Sequence, residues 1–336
     1  MRPFSFSRPE APALAIAAKT AQARFLAGGT NLVDLMKYDV ERPPALLDLG
    51  RIEALREITE SGGTLRIGAL ATNADTAAHP LVQRHAPLLA DAILAGATPQ
   101  LRNMATTGGN LLQRTRCHYF YDRQTPCNKR EPGTGCPAIG GVNRIHAILG
   151  ASSSCIATHP SDMCVALAAL EAVVVVQGPE GERRIPMAGF HRLPGDEPWR
   201  DTTLGERELI TAVEIPTWET GGHRTYLKLR DRLSYAFALV SVAAAVTLEG
   251  GRITKARVAL GGVAHKPWRV AEAEALLEGR APDEPAFAAA AERLLHGAQG
   301  QGENDFKVEL ARRAIPRALH QAAAGTPQSH VEKAIS

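Results

Sequence analysis

Aromatic side chains make up only 5% of this 336-residue chain, so a planar cofactor bound here would rest on backbone and aliphatic groups more than on stacked Trp or Tyr. Charge of one sign is scarce as well. Thirty-eight Lys and Arg against 35 Asp and Glu leave a formal +3, spread along the chain rather than massed on one stretch, which argues against nucleic acid as a partner. Long apolar runs are also missing. The longest, 163–170 and 236–248, fall short of the ~20 residues that cross a bilayer, and Ser241 and Thr247 interrupt the second. No membrane span is expected. The start of the chain carries Arg2 and Arg8, but Glu10 and Pro12 break the apolar segment that follows, a weak pattern for a signal peptide. Folding in the cytoplasm is the expectation. The sequence has no G-x-G-x-x-G, no Walker loop, no G-x-S-x-G and no H-E-x-x-H, which removes Rossmann, P-loop and hydrolase readings.

What is present is an ordinary globular composition, 45% hydrophobic and 22% charged, in a chain long enough for two domains. Phe4 and Phe6 alternate with serines and read as a short strand. A helix over 13–23 follows, then a strand, 24–27, that runs into Gly28-Gly29 and a helical pattern from Leu32. Strands at 45–49 and 64–67 and helices at 72–78 and 86–94 make the first hundred residues a mixture of α and β. From 116 to 144 no period survives, and a long loop is expected. Regular structure returns at 151–156, a helix at 160–170 and a β-branched strand at 173–176. A strand at 209–215 ends at Pro216, and 218–222 reads as a linker. Beyond it, 226–230 and 236–248 read as strands, and Gly250-Gly251 as a two-residue hairpin turn requiring positive φ at both positions, with 253–260 returning. Helices at 269–277, 286–297 and 305–324 complete an α+β C-terminal domain with an antiparallel sheet, and the final dozen residues read as a frayed polar tail.

Two segments carry the chemistry of phosphate binding. Ala27-Gly28-Gly29-Thr30-Asn31 lies between a strand and a helix, where glycine lets the backbone approach a ligand and free N–H groups attract an anion. Ala105-Thr106-Thr107-Gly108-Gly109-Asn110 repeats the pattern. Either alone is equally well a plain turn; two in one domain favour a dinucleotide.

The five cysteines, Cys117, Cys127, Cys136, Cys155 and Cys164, all fall within fifty residues. Four thiolates suit an iron–sulfur cluster, a zinc ion or two disulfides, and unliganded thiols are the plain alternative. The absence of C-x2-4-C pairs argues against a zinc knuckle. Arg114, Arg116, Arg123, Lys129 and Arg130 crowd the segment, as a negatively charged cluster would require. Cys164 sits in an apolar helical stretch and reads as a small buried hydrophobe. His118, next to Cys117, reads as an outer or solvent-facing residue, while His159, His191 and His265 show no partners. Cys117 follows Asn110 by seven residues, at most ~25 Å when extended, so a cluster there would lie close to the glycine turns.

The motifs Leu26-Ala27-Gly28-Gly29-Thr30-Asn31-Leu32, Ala105-Thr106-Thr107-Gly108-Gly109-Asn110-Leu111, Ser161-Asp162, Glu214-Ile215-Pro216 and Tyr226-Leu227-Lys228 stand in the order of a known family. The chain resembles the FAD-binding subunits of molybdenum hydroxylases, the xanthine dehydrogenase and aldehyde oxidoreductase group. The cysteine insertion makes it most similar to the flavin subunits of bacterial periplasmic aldehyde oxidoreductases. The resemblance implies an α+β fold: a two-part FAD-binding domain of the vanillyl-alcohol-oxidase type over 1–220, with subdomains of about 1–55 and 56–220 and a Cys-rich loop at about 114–156. A small C-terminal domain at 221–325 and a tail at 326–336 would follow.

By the same resemblance, Leu26, Ala27, Gly28, Gly29, Thr30, Asn31 and Leu32 wrap the FAD pyrophosphate, with Thr106, Gly108, Gly109 and Asn110 as the second wall. Asp162 accepts hydrogen bonds from FAD hydroxyls, although a helix-start carboxylate needs no ligand to be stable. Ile210 lies against the flavin through its backbone, and Lys228 approaches the isoalloxazine, where a cation favours the reduced anion. Cys117, Cys127, Cys136 and Cys155 hold a 4Fe–4S cluster. The implied partners are a large molybdenum-cofactor subunit and a small 2Fe–2S subunit, with electrons leaving through FAD to an external acceptor. Periplasmic residence would require co-export with a partner bearing a twin-arginine signal. A self-sufficient flavoenzyme of the same fold, or a structural zinc module on four cysteines, are the competing readings.

Overall fold

The computed structural model describes residues 1–218 and 223–330. The linker expected at 218–222 falls outside the described residues from 219 onward, as does the tail from 331. Strands β1 (Ser5–Ser7), β2 (Ala23–Leu26) and β3 (Ala45–Asp48) form a small parallel sheet with β3 central. Parallel pairing needs crossovers on the faces, and the helices Pro12–Ala18 and Leu32–Lys37 supply them. The first helix stops at Ala18 rather than 23, because the Ala23 N–H turns back to Thr20 and enters β2.

The second sheet is antiparallel, in the order β4 (Ile58–Ser61), β5 (Thr64–Gly68), β8 (Leu209–Pro216), β6 (Val173–Gly178), β7 (Gly181–Pro186). The residues of β8 up to Ile215 are all buried, as a mid-sheet strand covered on both faces must be. A register shift at Val175/Val176 opposite Ile210 leaves Thr211 bulged. The third sheet runs β12 (Trp268–Arg269), β11 (Arg252–Gly261), β10 (Val240–Glu249), β9 (Arg224–Leu229), all antiparallel. Gly250 and Gly251 take φ of +56° and +76° in the β10–β11 hairpin, as the turn chemistry requires. Arg269 belongs to β12 and not to the following helix, which begins only at Ala271. At 151–156 a tight turn replaces regular structure, because Ser152 Oγ takes the Ser154 N–H and donates to Gly195 O. Nor does the tail fray before 331: buried His330 bonds Tyr226 O, and Gln328 accepts from the Lys228 N–H.

Helix Asp162–Ala169 is buried along its whole length, as a helix lacking a polar face must be. It packs between helix Pro87–Ala95 and the strands β10 and β11. The approach to β11 is close enough that a Cβ on Gly261 would lie 2.5 Å from Val165 Cγ2. No helix among the described residues is long and apolar enough to cross a membrane.

Candidate functional site

The two glycine turns are brought into direct contact. A Cβ on Gly28 would stand 1.7 Å from Met104 O and 3.2 Å from Ala105 N, so only glycine lets the first turn lie on the second. Gly29 is left-handed at φ +71°. Among the described residues the main-chain N–H groups of Gly28, Gly29, Thr30 and Asn31 donate to no protein atom, leaving donors for an anion. Asn31 Oδ1 accepts from the Arg114 N–H at 2.9 Å, while its buried Nδ2 has no partner. These features fit a pyrophosphate.

The second turn is built differently. Thr106 caps the helix Thr107–Leu111, its Oγ1 taking the Gly109 N–H at 3.2 Å. The N–H groups of Thr107, Gly108 and Asn110 go to Ala71 O, Ala69 O and Thr106 O. Its amides are spent internally, so this wall contributes shape and side chains. Ala69 in turn donates to Thr211 O, which brings Ile210 of β8 alongside, its side chain in the core.

Asp162 opens the buried helix beside Asn110, whose Oδ1 accepts from the Ser161 hydroxyl at 2.6 Å. Its carboxylate is already engaged: Oδ1 by the Tyr226 hydroxyl at 2.7 Å and Oδ2 by Lys228 Nζ at 2.7 Å. Lys228 is itself buried and also donates to Ala95 O at 3.1 Å. The sequence separates Asp162 and Lys228 by 66 residues, and the fold makes them a buried ion pair joining β9 to the first domain.

The cysteine segment begins where the first turn ends, since Asn31 holds Arg114. Cys117, Cys127, Cys136 and Cys155 line one pocket with Phe120, Lys129 and His146. Leu35, from the helix after Gly28-Gly29, packs with Cys117, Cys127, Cys155 and Phe120. The segment is largely loop with one helical turn, His118–Tyr121. The Arg130 guanidinium gathers it by donating to the carbonyls of Tyr119, Phe120, Asp122 and Thr125. Burial pushes the Cys117 thiol up to about 12. The contact between Cys136 and Cys155 lowers the first thiol and raises the second. Among the described residues, the three donors that lie within 4.8 Å of one another are His159, Cys164 and His191, and not the four pocket cysteines. Four cysteine sulfurs lining one buried pocket are a donor set that fits a cluster.

Two features escaped the sequence. His146 Nε2 lies 3.1 Å from Cys117 Sγ, and burial lowers this imidazole to about 4; nothing in its spacing marked it. His118, by contrast, is exposed, with Nε2 3.3 Å from Val142 O and its ring edge-on to His146. Of the cations of the loop, Lys129 lines the cysteine pocket, and several are held by acids from elsewhere in the chain. Arg114 bonds Glu41 and Asp201, Arg123 meets Asp39, and buried Lys129 meets Asp201 and Pro198 O. Asp201 is thus the unforeseen anchor of the loop. Burial pushes its carboxyl up, but Lys129, Arg114 and His265 outweigh that and hold it well below the usual carboxylate range. A carboxylate depressed in the folded state contributes stability that is present above its unfolded pKa and is lost as pH falls through the folded one. Unfolding followed against pH is therefore expected to show the loop loosening in strong acid, below pH ~4. Asp201→Asn should lose about 3 kcal/mol at neutral pH by stranding Lys129 and should flatten that acid limb.

Two glycine turns in contact, the first with free main-chain amides, mark a dinucleotide-binding class of protein. Residues 2–218 match the family model described as the FAD binding domain in molybdopterin dehydrogenase, and residues 224–322 that of the CO dehydrogenase flavoprotein C-terminal domain. The chain belongs to the FAD-binding subunits of the molybdenum hydroxylases, an oxidoreductase family, as its motifs imply. It is 50% identical to the aldehyde oxidoreductase FAD-binding subunit PaoB of Escherichia coli K12 over 328 residues, covering 96% of this chain and 99% of that one. The carbon monoxide dehydrogenase medium chain of Hydrogenophaga pseudoflava is 29% identical, with 90% of each chain covered. The solved carbon monoxide dehydrogenase from Hydrogenophaga pseudoflava superposes with a TM-score of 0.76 at 29% identity, covering 96% of this chain and 98% of that one. Quinoline 2-oxidoreductase from Pseudomonas putida 86 gives 0.74 at 27% identity, covering 97% and 98%.

Proposed function

We propose that this chain is the FAD- and 4Fe–4S-carrying electron-transfer subunit of a molybdenum-dependent aldehyde oxidoreductase. The aldehyde is oxidised on a large molybdenum-cofactor subunit, a small 2Fe–2S subunit relays the electrons, and FAD delivers them to an external acceptor. The four cysteines lining one buried pocket against the helix after Gly28-Gly29 carry this reading, and the name of the 50% identical relative supports the aldehyde. Bound FAD supplies a two-electron carrier and a 4Fe–4S cluster a one-electron carrier.

The chain's own residues position both. The free amides of Gly28, Gly29, Thr30 and Asn31, with Asn31 Nδ2, take the pyrophosphate oxygens. Leu26, Ala27 and Leu32 frame the turn, and Thr106, Gly108, Gly109 and Asn110 close the opposite wall by contact. Ile210 presents its main chain. Asp162 retains free lone pairs for ribityl or ribose hydroxyls. Because the Lys228 charge is balanced by Asp162 at 2.7 Å, its bias toward an anionic flavin is weaker than an unpaired lysine would exert, and holding β9 against the site is its larger task. Cys117, Cys127, Cys136 and Cys155 are the cluster ligands, and His146 donates to the Cys117 sulfur. The chain folds around its cofactors in the cytoplasm, and its route to the periplasm is export with a twin-arginine partner.

Anaerobic purification followed by flavin, iron and sulfide analysis tests the proposal. One FAD with about four irons per chain is the expected result; zinc in place of iron, or thiols without metal, would overturn it.

A further inference from the structure

One buried group of donors is used by none of these roles. His159, Cys164 and His191 each present a ligand atom within 4.8 Å of the other two, and their rings and thiol are 9%, 0% and 3% exposed. The two imidazoles lie with centroids 4.2 Å apart. Leu111 O receives His191 Nε2 at 2.8 Å, which fixes the proton there and leaves His191 Nδ1 a lone pair. That nitrogen has no partner, and neither does His159 Nε2. A buried polar atom left unpaired costs ~1–3 kcal/mol. Two in one place, beside a buried thiol, call for an occupant, and two imidazole nitrogens with one sulfur are the donors that a cation of borderline softness takes.

We propose that His159, Cys164 and His191 bind one divalent ion of borderline softness, of which Zn2+ is the type. Two imidazoles and one thiolate are the donor set such an ion takes in four-coordinate sites, the last position going to water. Binding displaces the Cys164 proton to solvent. His159 Nδ1 accepts the Ser161 N–H at 3.4 Å, the long limit of a hydrogen bond, and coordination through Nε2 gives up that weak bond as the ring proton moves to Nδ1. Asp201 and His265, 3.6 Å apart, are neighbours of the pair, and burial lowers the His265 imidazole to about 4. The site is separate from the four-cysteine pocket and uses the cysteine that pocket leaves out. Its placement gives it a structural task. His191 holds the end of the second glycine turn through Leu111 O, while Cys164 is on the helix that begins at Asp162, so an ion here ties the flavin wall to that helix.

The test uses the intact, iron-loaded complex, dialysed against chelator and then offered Co2+ alone. About one cobalt per chain beyond the iron is expected, with X-ray absorption showing nitrogen near 2.0 Å and a single sulfur near 2.3 Å. Cys164→Ala should lower bound cobalt at least ~10-fold with iron and flavin content unchanged, and His191→Phe should lower it as far with iron content unchanged. No cobalt in the wild-type complex, cobalt retained in both variants, or a shell of several sulfurs would each overturn the proposal. The absorption measurement needs no variant to fold.

Discussion

Cys127→Ser is expected to remove the iron from this chain and leave the flavin in place. The substitution is nearly isosteric but replaces a thiolate with a hydroxyl that remains protonated and binds iron poorly. The loop does not depend on that sulfur for its shape: the Cys127 N–H is held by Thr134 Oγ1, Arg130 gathers four carbonyls, and Lys129 is anchored on Asp201. Iron should fall from about four per chain to a small remainder, and the visible absorption should reduce to that of flavin alone. Unchanged iron would remove Cys127 from the ligand set. Loss of flavin along with the iron would mean that the cysteine segment supports the first glycine turn through Leu35 and Asn31 more than it holds a metal.

Gly28→Val should abolish flavin binding. Its Cβ would meet Met104 O at 1.7 Å and Met104 C at 2.6 Å, and both are main-chain atoms that no rotamer change can move. The two turns must part by more than an ångström. The free amides of the first then no longer face the wall formed by the second, and flavin content should drop at least ~10-fold, with a stability loss of a few kcal/mol from the overpacked contact. Gly189→Ala is the control. No atom lies within 4 Å of the added carbon and no positive φ is required there, so flavin content should stay at the wild-type level. Flavin retained by Gly28→Val would place the dinucleotide elsewhere.

Both experiments touch features that local pattern reveals. Glycine pairs between a strand and a helix, a threonine that caps, and a Gly-Gly hairpin are decided by neighbours in sequence, and each stands where the pattern puts it. The partners that secure the site are long-range and leave no such trace. Lys129 and Asp201 are 72 residues apart, Asp162 and Lys228 are 66 apart, and His146 reaches Cys117 across 29. Of the loop cations read as a field for a cluster, Lys129 lines the cysteine pocket, while the acids that neutralise Arg114 and Arg123 come from 39–41 and from position 201, beyond what local sequence shows. The serine-rich turn at 151–156 and the docked residues 326–330 were misread because composition alone does not show which backbone groups find partners.

The helix Asp162–Ala169 has no solvent side: one flank belongs to the first domain and the other to the strands of the second. A polypeptide severed at the junction would strand an ionised Asp162 and strip the cover from Val165 and its neighbours. The two regions that match separate family models therefore pack as one block through this helix, and a foreign counterpart of either would have to supply the same cover.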